Sequence, residues 1–338
     1  MNAGAEVFTP VVEVSGLNIV YAGPRGVTVA ARDVSFSVGR GEIFGLVGET
    51  GSGKSTILRS IIGLLHPNAR IESGTISVAE RRVIGASARE LVQLRRNKMA
   101  MVFQDPLRSL NPVMAIGAQL AEAARAAGLR DKTLMNVRIL ETLERVGISD
   151  APTRLRAYPH ELSGGLRQRV SIAAAIVRSP ELILADEPTT ALDVTIQDQI
   201  LTLLRNLCRD MRMSVILVTH DIGVVAQAGD RLGVLYAGRL VECGDVAAVL
   251  NAPSHPYTAA LLASIPRIGE RRERLKVIPG RPADLAADIE GCPFAPRCAY
   301  AVDECTRIKP RLEIHERNQQ TACWRHNELR SQLAGATK

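Results

Sequence analysis

A chain of 338 residues with 46% hydrophobic content has length for about two domains, or one large domain with an appendage, and ample apolar material for a core. It is basic, with a formal net charge of +7, yet only 3% of its residues are aromatic, which argues against a base-stacking nucleic-acid surface. No apolar run approaches the roughly 18 residues of a membrane span, and Met1 to Glu6 lack the basic and apolar regions of a signal peptide, so a cytosolic chain is expected, with any membrane role supplied by a partner.

Residues 1–10 read as a loose tail. Residues 11–45 alternate apolar and polar positions, as in Val34-Ser35-Phe36-Ser37-Val38, and predict antiparallel strands joined by the turn Gly23-Pro24-Arg25-Gly26. Tyr21, just before that turn, suits ordinary strand packing or the presentation of a ring face to an adenine base. The apolar run Ile43 to Val47 predicts a buried strand. Leu58, Ile61, Ile62 and Leu65 share one helical face over Ser55 to Leu65.

Between that strand and helix lies Gly48-Glu49-Thr50-Gly51-Ser52-Gly53-Lys54-Ser55-Thr56. The pattern G-x-x-x-x-G-K-[ST] between a strand and a helix is a P-loop. Its glycines let backbone N–H groups curl around phosphate oxygens, and the helix N-terminus adds a favourable dipole. Lys54 is placed to meet the β- and γ-phosphates, and the Ser55 hydroxyl to ligate Mg²⁺. A nucleoside triphosphate is the expected ligand.

Residues 71–104 read as further strands, broken by Asp105-Pro106. Residues 113–160 turn helical, rich in Ala, Leu, Arg and Glu, with Val137, Leu140 and Leu143 at helical spacing. Leu162-Ser163-Gly164-Gly165-Leu166-Arg167-Gln168-Arg169 leads into a helix reaching Arg178. The strand Leu182 to Ala185 then delivers two carboxylates. Asp186 is placed to hold Mg²⁺ through water, and Glu187 to orient and deprotonate an attacking water. After Asp193 comes a helix with the stripe Ile196, Ile200, Leu203, Leu204 and Leu207. Met213 to Thr219 predicts a strand parallel to those ending at Lys54 and Glu187, which brings His220 near the γ-phosphate. A closing hairpin is read over 232–242. A linker-like break follows at Asn251 to Pro256, then a short helix at Tyr257 to Ser264. The basic run Arg267 to Arg281 fits a solvated face or an attraction to anionic lipid head groups.

The order and spacing of the P-loop, Gln104, Leu162-Ser163-Gly164-Gly165, Asp186-Glu187, Asp193 and His220 resemble the ATP-binding cassette (ABC) ATPases, over roughly residues 11–250. The LSGGxRQR segment discriminates, because most P-loop proteins lack it. The resemblance implies an α/β P-loop NTPase with a RecA-like core, an antiparallel β subdomain and a helical insertion at about 106–164. It implies adenine stacking by Tyr21 and a Q-loop role for Gln104, which senses Mg²⁺ and the attacking water. Glu187 would be the catalytic glutamate, His220 the switch histidine and Asp193 the D-loop aspartate. Leu162, Ser163, Gly164, Gly165 and Gln168 would form the signature segment, completing an ATP site held on a second ATPase subunit. The implied enzyme is an ATPase with ATP and Mg²⁺, driving two transmembrane permeases and served by a substrate-binding protein. It would sit peripherally on the cytoplasmic face of the cell membrane, with no nucleic-acid partner expected. A soluble ABC ATPase acting on nucleic acid or ribosomes is the alternative, and a redox-sensing subunit a third.

The segment 251–338 resembles the C-terminal extension of oligopeptide/dipeptide (or nickel) importer ATPases, through His255-Pro256-Tyr257-Thr258, Leu261 to Pro266, and Gly291-Cys292-Pro293-Phe294-Ala295-Pro296-Arg297-Cys298. Ile278-Pro279-Gly280 favours the D-type over the F-type subunit. Cys292, Cys298, Cys305 and Cys323 are spaced x5, x6 and x17. Four thiolates suit a [4Fe–4S] cluster, which members of the resembled subfamily can carry, or a structural zinc, although the C-x2-C pairs usual for zinc are missing; free thiols are the remaining possibility. Cys208 and Cys243 are expected to be buried small apolar residues.

Overall fold

A computed structural model describes residues 9–24, 26–265, 277–286, 289–315 and 319–336. The Met1 to Glu6 tail, Arg25 of the first turn and most of the Arg267 to Arg281 run lie outside the described residues.

In chain order the strands are β1 (Val12–Gly23), β2 (Gly26–Val38), β3 (Ile43–Val47), β4 (Ala69–Val78), β5 (Arg81–Arg82), β6 (Met99–Val102), β7 (Leu182–Asp186), β8 (Ser214–Thr219), β9 (Arg231–Tyr236), β10 (Arg239–Asp245), β11 (Glu313–Ile314) and β12 (Gln320–Thr321). The first half of the chain carries helices α1 (Lys54–Ile61), α2 (Ala88–Asn97), α3 (Pro106–Ser109), α4 (Ile116–Ala126), α5 (Lys132–Arg145) and α6 (Ala151–Arg154). The second carries α7 (Gly164–Ile176), α8 (Val194–Met211), α9 (Ile222–Ala228), α10 (Val246–Asn251), α11 (Pro256–Ala263), α12 (Asp303–Arg307) and α13 (His326–Ala336).

Two sheets result. The smaller is antiparallel, ordered β2-β1-β4-β5, and the larger runs β11-β12-β10-β9-β3-β8-β7-β6. Within the larger sheet β6, β7, β8, β3 and β9 are parallel, while β10, β12 and β11 continue it antiparallel. The parallel strands read as unbroken apolar runs because both faces are covered. Alternation then sorts their residues between two clusters. Ile43, Val47, Ile183, Ala185, Val215 and Leu217 face one core with α7 to α9 and the helical stretch. Phe44, Leu46, Leu182, Leu184, Ile216 and Val218 face the other, shared with α1 and the antiparallel sheet. Each of these side chains is at most 3% exposed, and for the larger ones such burial contributes about 1.5–3 kcal/mol apiece.

This layout positions the site. β3, β7, β8 and β6 all end on one edge, so the segments after them converge: Gly48 to Thr56, Glu187, His220 and Gln104. Ligands of such sheets bind beyond the strands' carboxyl ends.

One reading of the sequence needs correction here. Residues 71–104 are not all strand, since Ala88–Asn97 is helical, capped by Ser87, which accepts from the Glu90 N–H while Glu90 reaches back to the Ser87 N–H. In α5, Val137 and Leu140 are exposed, and the buried face is Met135, Ile139, Thr142 and Leu143. The first-turn hairpin, the strand ending at Thr219 and the closing hairpin lie where the pattern put them.

Candidate active site

The segment Gly48 to Thr56 leaves β3 and enters α1, with Gly53 as N-cap at φ +104°. A Cβ at Gly53 would lie 2.0 Å from the Ala30 carbonyl oxygen, so both backbone conformation and space demand glycine there. Thr50 and Gly51 are exposed, Ser52 is buried, and Ser55 and Thr56 are half-buried. Lys54 is only 5% exposed. Its Nζ donates to the carbonyl oxygens of Gly48 and Glu49 at 2.7 and 2.9 Å. Burial lowers its pKa, an effect that the nearby carboxylates of Glu187, Asp186 and Glu49 oppose. Tyr21 lies over the start of α1, its hydroxyl 3.0 Å from the Thr56 hydroxyl.

Asp186 ends β7 and is 4% exposed. It accepts from the Ser55 hydroxyl at 2.8 Å. Burial raises its pKa, while the Ser55 hydrogen bond and the charge of Arg59 pull it down. A hydroxyl and a carboxylate meeting beside the phosphate loop form a donor set suited to a hard divalent cation.

Glu187 follows in the left-handed region, φ +46°, an uncommon conformation for a non-glycine residue and one that concentrates at functional sites. Its N–H is held by the Val218 carbonyl at 2.9 Å. The carboxylate is a meeting point. Gln104 Nε2 donates to Oε2 at 3.1 Å, the Thr190 hydroxyl donates to the same oxygen at 2.9 Å, and His220 Nδ1 lies 3.2 Å from Oε1. Sequence reasoning named Gln104 and His220 but missed Thr190, whose run Thr189-Thr190 after Pro188 gave no sign of its partner.

The other expected residues lie apart from this cluster's hydrogen bonds. Leu162 is buried, Ser163 and Gly164 are exposed, Gly165 is buried and Gln168 is 1% exposed. The Ser163 hydroxyl caps α7 by accepting from the Leu166 N–H. Asp193, exposed, caps α8 by accepting from the Ile196 N–H at 2.9 Å.

Residues 31–190 match the family model described as "ABC transporter", and residues 241–305 match "Oligopeptide/dipeptide transporter, C-terminal region". The chain is 42% identical to the oligopeptide transport ATP-binding protein OppD of Haemophilus influenzae, over 93% of this chain and 97% of that protein. The dipeptide transport ATP-binding protein DppD of Bacillus subtilis is equally similar, at 42% over 93% and 94% of the two lengths. The chain belongs to the ABC ATPases of the oligopeptide/dipeptide transporter family. Both relatives are of the D-type that Ile278-Pro279-Gly280 favours over the F-type, and this ABC ATPase couples ATP hydrolysis to transport, which sets aside action on nucleic acid or ribosomes. Among solved structures it is similar to the ATP-binding cassette MJ0796, in a dimeric post-hydrolysis state bound to ADP and Pi, with TM-score 0.63 and 29% identity over 70% of this chain and 98% of that one. It is likewise similar to cbiO1 of Clostridium perfringens, with TM-score 0.63 and 28% identity over 71% of this chain and 90% of that one. No helix among the described residues is long and apolar enough to cross a membrane.

The expected metal centre in this ABC ATPase's extension is not borne out. Among the described residues no group of three or more His, Cys, Asp or Glu side chains could hold a metal ion, and the relatives' names describe ATP-binding proteins alone. Cys292, Cys298, Cys305 and Cys323 line one small pocket together with His255, Phe294 and Trp324. Burial pushes the thiols of Cys292 and Cys323 up to about 11 and about 12, and raises that of Cys298. The thiols of Cys292, Cys298 and Cys323 are held protonated and Cys305 is buried among the same side chains, so the four pack as small apolar groups and iron–sulfur and zinc are both withdrawn. Cys208 and Cys243 are buried as expected.

Proposed function

We propose that Gly48 to Thr56 bind the phosphates of ATP, that Tyr21 stacks on the adenine, and that Glu187 is the catalytic base. The chain energises peptide import through a permease pair. The observation that carries this reading is the carboxylate of Glu187, fixed by Gln104, Thr190 and His220 at the strand ends where the phosphate loop begins. When bound, Mg²⁺ supplies charge neutralisation on the β- and γ-phosphates, and Ser55, Asp186 and Gln104 are the residues that would hold it. Lys54 exchanges its bonds to the Gly48 and Glu49 carbonyls for phosphate oxygens. Glu187 orients a water and accepts its proton. Gln104 and His220 keep the Glu187 carboxylate aimed.

Ser163, Gly164 and Gly165 cover an ATP held by a second ATPase subunit, the helix N-terminus that begins at the exposed Ser163 and Gly164 offering N–H groups to phosphate, and Leu162 and Gln168 belong to the same signature segment. Asp193 lies at the same dimer interface. The ATPase unit spans about 11–250, with its helical part at about 106–164, and the extension 251–338. Its partners are a second ABC ATPase (a paralogue or itself), two permeases and an external binding protein, assembled on the cytoplasmic face of the cell membrane.

The reading is tested by reconstituting the chain with its permeases, second ATPase and binding protein in vesicles. ATP-dependent peptide uptake that disappears in Glu187→Gln is the expected result. Uptake that persists in that variant would remove Glu187 from its role.

A further inference from the structure

Glu49, at one of the x positions of the phosphate-loop pattern G-x-x-x-x-G-K-[ST], is held by residues of the C-terminal extension. Arg297 donates to both of its carboxylate oxygens, Nη1 to Oε2 at 2.7 Å and Nη2 to Oε1 at 3.0 Å. The Glu49 N–H donates to the Tyr257 hydroxyl at 2.9 Å. Arg297 is itself fixed on every side. Its Nε donates to the Pro279 carbonyl at 2.8 Å, Nη1 also reaches the Tyr236 hydroxyl at 3.3 Å, and its side chain is only 4% exposed. The guanidinium lies 5.8 and 5.9 Å from the ring centres of Tyr236 and Phe294, and those rings pack with Tyr257. A two-toothed guanidinium–carboxylate pair fixes direction as well as distance. On its other side the same loop peptide is held by Lys54, through the Gly48 and Glu49 carbonyls.

We propose that Arg297 and Tyr257 are positioning residues for the phosphate loop, so that the affinity for ATP depends on the docked extension. This rests on the reading of Gly48 to Thr56 as the ATP site. A loop ordered before the ligand arrives loses less freedom on binding. Reciprocity requires that ATP in turn tighten the extension.

The test uses the full-length chain, titrated with a fluorescent ATP analogue and Mg²⁺. Trp324 is the only tryptophan and lies in the extension, so its emission reports whether the extension stays folded in each variant. Arg297→Ala should weaken ATP about tenfold, Arg297→Lys should fall between it and the wild type, and Glu49→Gln should match Arg297→Ala. The double variant Arg297→Ala/Glu49→Gln should be no weaker than either single one. ATP should slow amide exchange across 292–298 in the wild type but not in Arg297→Ala. Wild-type affinity in Arg297→Ala with native Trp324 emission would overturn the proposal, as would strictly additive losses in the double variant. If Arg297→Ala perturbs Trp324, Glu49→Gln decides, because its alteration is confined to the loop; unchanged ATP affinity there overturns the proposal. ATP binding that survives Lys54→Ala undiminished would instead overturn the site reading beneath it.

Discussion

His220 Nδ1 stands 3.2 Å from Glu187 Oε1, although 33 residues separate the two in the chain. The contact arises because β7 and β8 are parallel neighbours, with Asp186 paired to Val218, so the residues that follow them emerge side by side. Each then constrains the other's orientation at the edge where ATP is proposed to bind.

Glu187→Gln keeps the shape and the hydrogen bonds from Thr190 and Gln104 but loses the basic oxygen. Phosphate release should fall about 100-fold or more, while ATP affinity stays within about threefold of wild type. Single-turnover phosphate release, run beside equilibrium ATP binding, separates the two quantities. Equal loss of both would make Glu187 a binding residue.

The pairing of Ser55 with Asp186 predicts a defect confined to the metal. Asp186→Asn should lower the apparent affinity for Mg²⁺ about tenfold to 100-fold, with a smaller change in the binding of metal-free ATP. Titrating turnover against Mg²⁺ at fixed ATP reads this directly. An unshifted Mg²⁺ dependence would release Asp186 from that role.

Gly53→Ala places a methyl against the Ala30 carbonyl and a non-glycine residue at φ +104°. The left-handed backbone alone costs about 1–2 kcal/mol, and relief requires the loop to move. Thermal unfolding should drop by a few degrees and ATP affinity by about tenfold. A variant that binds ATP normally would show that the loop relaxes without consequence.

Glu242 gives a pH signature. It is 0% exposed, and burial pushes its pKa up to about 7 despite hydrogen bonds from the Ser254 and His255 N–H groups and Gln319 Nε2. The neighbouring His255 is held neutral by its own burial, its pKa lowered to about 3. Between the unfolded carboxylate value near 4.5 and about 7, the folded chain therefore binds the extra proton at Glu242. Its contribution to stability falls as pH rises through that window and is flat above it, a total of about 3 kcal/mol. The stability of Glu242→Gln relative to wild type should thus climb between pH 5 and pH 8. Parallel stability–pH curves for the two proteins would contradict the raised pKa.

The local signals in the sequence were strong where chemistry and period coincide. The phosphate loop, the carboxylates after Ala185 and the histidine after Thr219 are all short segments attached to five- or six-residue buried strands. Their convergence follows from parallel pairing, which such apolar runs imply. Helix α2 was also written in the chain, as Ser87 followed by Glu90, a capping box, but its arginine-rich surface hid the period. The exposure of Val137 and Leu140 could not be foreseen, because α5 offers apolar residues on more than one face and the packing of α4 and α7 selects among them. The cysteines misled through their number and spacing together with the family resemblance, since four thiols in one pocket are equally served by packing. Arg297 and Glu49 lie 248 positions apart, and nothing local to either one announces the other.

The last strands of the larger sheet have a bearing on handling the protein. β12 pairs with β10 at Glu242–Thr321 and Cys243–Gln320, and the Ala322 N–H donates to the Val241 carbonyl. The extension thus covers what would otherwise be a bare rim of unpaired amides on β10, the kind of edge onto which other chains add strands. Cutting the protein after residue 250 would leave that rim open beside buried apolar side chains. A shortened ATPase made in this way should self-associate, and its insolubility would report a lost strand neighbour rather than any defect in handling nucleotide.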